Sequence, residues 1–110
     1  MGLDSPQLLP GTLYMLILRT LASGPRHGYA IARTIKQSSA DVLEVEEGSL
    51  YPALARMLLK GWVAAKWGIS ENNRKARFYS LTEEGRKQLT SEADEFNKLV
   101  EAIQLVMKTA

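Results

Sequence analysis

The sequence predicts a mainly α fold with one small β-hairpin, and three observations carry that prediction. Apolar residues recur at helical spacing in four separate segments. Strict alternation is confined to two short runs on either side of a polar turn. The final segment keeps a heptad rhythm almost to its end. A chain of 110 residues, 45% hydrophobic and 24% charged, fits one globular domain.

The first helix is expected over residues 12–23. Leu13, Leu16, Ile17 and Leu21 form one apolar face, and Tyr14, Met15 and Leu18 a second. A helix apolar on two sides is central in a core or shared with a partner. Ser23-Gly24-Pro25 stops it. A second helix follows over 28–38, with Tyr29, Ala32 and Ile35 on one face and Ile31 beside them. Residues 38–41 read as a loop, and Val42, Leu43 and Val45 as a short extended stretch.

The third helix is expected over 48–60. Gly48-Ser49 offers an N-cap, and Glu46 and Glu47 suit the positive helix end. Pro52 then falls in the first turn, where a missing N–H costs little. Leu50, Leu54, Met57 and Leu58 make the buried stripe, and Gly61 the stop. Residues 62–67 read as a strand, Ser70-Glu71-Asn72-Asn73 as a turn, and residues 76–81 as a second strand. The two tryptophans, Trp62 and Trp67, either pack at the base of this hairpin or line an aromatic pocket.

Thr82 can cap the last helix, with Glu83 and Glu84 in its first turn. Leu89, Ala93, Phe96, Val100, Ile103 and Met107 recur there at alternating steps of four and three, widened by Leu99 and Val106. Such a helix packs on its own domain or against a second copy, and its length and terminal position favour the copy. Three helices, a basic hairpin and a long helix make a winged helix-turn-helix over 1–85, followed by a dimerisation helix over 86–110 within one structural unit.

Composition removes several function classes. The chain has no cysteine and one histidine, His27, which excludes a disulfide framework, a thiolate zinc site and a multi-histidine metal site. No paired carboxylates or glycine-rich phosphate loop can be assigned to a site, so no catalytic residue, metal or cofactor is expected. No apolar run approaches a membrane span, and Met1 to Gln7 lack the pattern of a secretory leader, so a cytoplasmic location is expected.

Charge points to a partner. The net charge is +2, yet residues 56–87 carry eight bases against three acids, whereas residues 38–55 carry four acids and no base. A basic middle suits contact with a polyanion; the alternative is a solvated cationic face. In a helix-turn-helix the recognition helix enters the major groove with its N-terminal residues foremost. Ser49 and Tyr51 lie near that end of the third helix, and their hydroxyls suit phosphates or bases. Ser49 could equally be a plain N-cap, and Tyr51 could pack on the wing. Pro52, Ala53 and Arg56 are expected to point away from the buried stripe, with Ala53 suited to a thymine methyl and Arg56 to a base or phosphate. The acids Glu46 and Glu47 run against this reading, because they would repel phosphate. At the wing tip, Asn73, Arg74, Lys75 and Arg77 suit phosphate or minor-groove contact, with a solvated loop as the alternative. His27 and Tyr29 open the second helix, where they either meet phosphate or serve local structure.

Four motifs appear in order: His27-Gly28-Tyr29 with Ile31, Gly48-Ser49-Leu50-Tyr51-Pro52-Ala53-Leu54, Gly61-Trp62-Val63, and Tyr79-Ser80-Leu81-Thr82-Glu83-Glu84-Gly85. Together, over roughly residues 8–100, they resemble the PadR family of bacterial winged-helix transcriptional regulators. The single helix after Glu84 resembles the short subgroup, and Glu71–Arg77 resembles a wing of one PadR-like branch. The resemblance implies a homodimer that binds palindromic double-stranded DNA, usually as a repressor, and is released by a small, often aromatic, effector. A winged-helix module that binds only protein remains the alternative, and the heptad helix would serve it equally well.

Overall fold

The computed structural model describes residues 10–109, so the expectation about Met1 to Gln7 lies outside the described residues. The element order is α1 (Pro10–Leu21), β1 (Arg26–His27), α2 (Gly28–Ser38), α3 (Glu47–Leu59), β2 (Val63–Ile69), β3 (Lys75–Leu81) and α4 (Glu83–Thr109). The mainly α winged helix-turn-helix with a long C-terminal helix is therefore the observed architecture. The sheet has three strands in the order β1-β3-β2, both pairings antiparallel. β1 was not legible in the sequence, because two residues are too few to show a period.

The core lies where α1, α2 and α3 meet the root of the sheet. Ile17 and Leu18 of α1, Ile31 of α2 and Leu50, Leu54 and Met57 of α3 are its largest fully buried side chains. Burying each stabilises the fold by about 1.5–3 kcal/mol. Tyr29 departs from the expected apolar face of α2 and is 65% exposed, because the buried stripe of the helix runs through Gly28, Ile31 and Ile35 and leaves position 29 to its side. Residues 42–46 form no strand; Val42 is exposed, and Leu43 and Val45 lie half-buried against the core.

Three junctions fix the later elements. At the end of α3, the Gly61 N–H donates to the Leu58 carbonyl at 3.1 Å and the Trp62 N–H to the Met57 carbonyl at 3.0 Å. This is a Schellman closure, and Gly61 supplies the left-handed residue with φ 77°. Thr82 caps α4: its Oγ1 accepts from the Gly85 N–H at 3.0 Å and donates toward the Gly61 and Trp62 carbonyls. Gly85 sits so close beneath β2 that an added Cβ would lie 2.1 Å from the Trp62 carbonyl oxygen. These contacts aim α4 away from the sheet. Leu89 packs against the core, but Phe96, Leu99, Ile103, Val106 and Met107 are all exposed.

Candidate nucleic-acid interface

α3 presents a solvent-facing surface made of Ser49, Pro52, Ala55, Arg56 and Leu59, all exposed. The helix starts one residue earlier than the sequence suggests. Glu46 is the N-cap residue, and its carbonyl accepts from the Ser49 and Leu50 N–H groups at 3.0 and 2.9 Å. Ser49 therefore lies within the first turn, and the expected Ser49 cap is corrected. Pro52 lies in the second turn, so its ring leaves the Gly48 carbonyl without a helical donor; both residues are exposed, and water can replace the lost bond. Ala53 is corrected more sharply: it has no exposed surface and belongs to the core, so it cannot meet a thymine methyl. Its spacing of three from Leu50 and four before Met57 puts it on the buried stripe.

Tyr51 joins the two helices. Its ring lies against Gly28, where an added Cβ would come within 2.7 Å of both Cε1 and the hydroxyl oxygen. A side chain at this position would push the Tyr51 ring aside. Burial raises the pKa of the Tyr51 phenol, and nearby Glu47 and Tyr79 raise it further, so the hydroxyl stays a proton donor at neutral pH. Arg56 is anchored from another direction. Its Nε donates to the Tyr14 hydroxyl at 2.5 Å, and its guanidinium carbon stands 5.7 Å from the Tyr14 ring centroid. Tyr14 in turn packs edge-on to Trp62, with ring centroids 5.7 Å apart. Arg56 is thus an exposed cation held in place from α1.

The wing tip closes over residues 70–74. Ser70 N–H donates to the Arg74 carbonyl at 2.8 Å, and Asn73 takes the left-handed φ of 58°. Asn72, Asn73, Arg74, Lys75 and Arg77 are exposed. Two of these cations lie over aromatic rings: Lys75 Nζ is 5.1 Å from the Trp67 centroid, and the Arg77 guanidinium carbon 5.9 Å from that of Tyr79. Trp67 is 62% exposed, so it does not pack in the core as a hairpin-base tryptophan would. Trp62 alone fills that role, half-buried against Tyr14.

His27 has a defined local task. It is the N-cap of α2, its Nδ1 accepts from the Ala30 N–H at 3.2 Å, and its ring meets Phe78 edge-on. Its Nε2 lies 3.3 Å from Glu71 Oε1, and Arg33 donates to Glu71 Oε2 at 3.3 Å. Both nitrogens of His27 are therefore engaged within the fold. Neighbouring Tyr29 stays exposed, with the Arg33 guanidinium carbon 5.4 Å from its ring centroid. Glu71 is the acid of the wing, and its carboxylate is turned back onto α2. Backbone and side-chain hydrogen bonds from its own turn, His27 and Arg33 lower its pKa, so it remains ionised and paired. This clasp pairs the one acidic side chain of the wing with His27 and Arg33.

The structure thus joins the wing tip to the start of α2, and Tyr51 to the same corner, while Arg56 sits further along α3. Sequence reasoning missed Glu71, Arg33 and Tyr14, whose partners lie 44, 38 and 42 residues away and leave no local signal. Among the described residues no three His, Cys, Asp or Glu side chains gather to hold a metal ion. Within the same limits, no helix is long and apolar enough to cross a membrane.

A family model described as the transcriptional regulator PadR-like family matches residues 17–91. A 37.1 kDa protein of a Streptomyces fradiae transposon is 44% identical over 85 residues, which is 77% of this chain but 23% of that protein. A transcriptional regulator from Clostridium thermocellum is 26% identical, with a TM-score of 0.78, covering 86% of this chain and 91% of that one. A PadR family transcriptional regulator from Eggerthella lenta is also 26% identical, with a TM-score of 0.77, covering 91% and 85% of the two chains.

Proposed function

The chain belongs to the PadR-like family of transcriptional regulators, and from that premise we propose that it is a homodimeric repressor that reads a palindromic operator and is released by a small aromatic effector. The family carries DNA-binding regulation as its general role. The observation that supports DNA binding by this chain best is the exposed α3 face together with a basic wing whose single acid is paired with His27 and Arg33. In this reading Ser49, Tyr51, Pro52 and Arg56 enter or border the major groove, with Tyr29 at the neighbouring backbone. Asn73, Arg74, Lys75 and Arg77 meet flanking phosphates or the minor groove.

The proposal divides the unit into a DNA-binding part, residues 1–85, and a pairing helix, residues 86–110. The exposed heptad face favours a second copy as its cover, since a folded monomer gains nothing by leaving Phe96, Ile103 and Met107 in water. Pairing would set two α3 helices on one side, about 34 Å apart for half-sites one turn apart. Phe96 and its copy would wall the space between protomers, where a flat effector could lodge.

Fluorescence anisotropy tests the reading with the duplex upstream of the chain's own gene against a scrambled duplex, over a salt series. With roughly three phosphate contacts per subunit, a dimer gives a slope of about −5 in log K against log salt. Preference for the upstream duplex with that slope is the expected result. No binding to either duplex at low salt would overturn the proposal and leave a module that binds protein.

A further inference from the structure

The outer half of the wing carries two large apolar side chains that the fold leaves uncovered. Trp67 is 62% and Ile69 63% exposed. The register pairs Val63 with Leu81, Ala65 with Tyr79, Trp67 with Arg77 and Ile69 with Lys75. Paired residues project from the same side of an antiparallel sheet, and alternate residues share a face. One continuous face therefore begins as core at Val63 and Tyr79 and ends as an apolar and cationic surface at the tip.

That surface continues outward from the corner where α3, the start of α2 and β3 meet. β2 follows α3 after the Schellman closure at Gly61 and packs with it. Tyr51, in the second turn of α3, lies against Gly28, and the residues just before Gly28 pair with β3 at Tyr79 and Phe78. Trp67 and Arg77 form the next rung of the same face, and Ile69 and Lys75 the one beyond. The exposed pair thus lies on the face that is core at Val63 and Tyr79, one and two rungs beyond Tyr79.

The charges around it select the occupant. Lys75 Nζ lies over the Trp67 ring, Arg77 is directly across the ladder, and Arg74 is at the turn. Glu71, the acid of this hairpin, is held by His27 and Arg33. An apolar patch ringed by cations fits a surface that alternates anionic and apolar groups at short range. The sugar–phosphate backbone is such a surface, with a deoxyribose between successive phosphates. An acidic peptide would satisfy the charges but would leave the exposed face of α3 beside it without a role.

We propose that Trp67 and Ile69 are DNA-contact residues, packing on deoxyribose faces while Lys75 and Arg77 take the flanking phosphates. The inference rests on the DNA-binding reading above. It adds an apolar contribution to a wing that the sequence suggests makes only polar and cationic contacts.

Trp62→Phe leaves Trp67 as the single indole of the chain, which has two tryptophans. Acrylamide quenching of this variant is measured free and with saturating mixed-sequence duplex at low salt. Anisotropy of a fluorescein label on the duplex follows binding in the same samples. The expected result is strong quenching when free and severalfold protection when bound. Duplex binding with undiminished quenching would overturn the Trp67 contact and leave the DNA-binding reading intact; absence of duplex binding would overturn both. Trp67→Ala, at an exposed site that folding does not need, supplies the second measurement. Affinity should fall roughly tenfold, in the range of an aromatic–nucleotide contact, with an unchanged salt slope because no phosphate charge is lost. Lys75→Ala should instead lower the slope by about 1. Wild-type affinity in Trp67→Ala would contradict the proposal.

Discussion

Substituting Gly85 by alanine should unfold the junction that aims α4. An added Cβ would lie 2.1 Å from the Trp62 carbonyl oxygen and 2.7 Å from Leu81 Cδ1. The carbonyl is backbone and cannot rotate aside. It also accepts from the Thr82 N–H at 3.1 Å and from Thr82 Oγ1 at 2.9 Å, so displacing it strains two hydrogen bonds. Overpacking costs about 1–3 kcal/mol, and each weakened hydrogen bond about 1 kcal/mol. Alanine regains up to about 1 kcal/mol of helix propensity. The net loss is about 2–4 kcal/mol, which lowers Tm by roughly 10–20 °C in a domain of this size. Thermal unfolding followed by far-ultraviolet circular dichroism reads it directly. Gly48→Ala is the matched control: a Cβ there meets nothing within 4 Å, and the site is also helical, so Tm should hold or rise. A Gly85→Ala protein melting within about 2 °C of wild type would refute the close-approach reasoning.

Three further outcomes are expected. Arg74→Ala should weaken operator and scrambled duplexes about equally and reduce the salt slope by about 1, as a phosphate contact does; a loss confined to the operator would instead assign it to base reading. The Glu71 pKa is lowered in the folded state, so the stability its clasp contributes is present above the unfolded carboxylate value and is lost as pH falls through the folded one. Amide signals of Asn72 and Asn73 should therefore titrate with a midpoint below that of an ordinary glutamate, and a midpoint at or above the ordinary glutamate value would contradict the clasp. Ile103→Asp places a charge on the exposed seam of α4 and should yield monomers in sedimentation with unchanged near-ultraviolet dichroism; a persistent dimer would exclude this face as the pairing surface.

Much of this fold is legible from period alone. The range of α2, the capped start of α4 and the hairpin on either side of Ser70–Asn73 all follow from local chemistry. What failed did so for identifiable reasons. Ala53 carries the core spacing, but its small side chain disguises it as a surface residue. Ser49 is the better capping residue in isolation, yet the helix starts ahead of it, with the backbone of Glu46 accepting the first bonds. Trp67 has the size of a core residue, but its rung lies beyond the end of the core. At the candidate interface, residue types and their elements were readable, whereas their anchoring was not. The Arg56–Tyr14 pair and the Glu71 clasp depend on segments brought together only by folding.

Amide NMR of the protein with its operator duplex tests the central claim most directly. The account predicts perturbations concentrated at residues 49–56 of α3 and 70–77 of the wing, with the exposed half of α4 unaffected. Perturbations centred on α4, or none at α3 and the wing under conditions where the duplex binds, would contradict it.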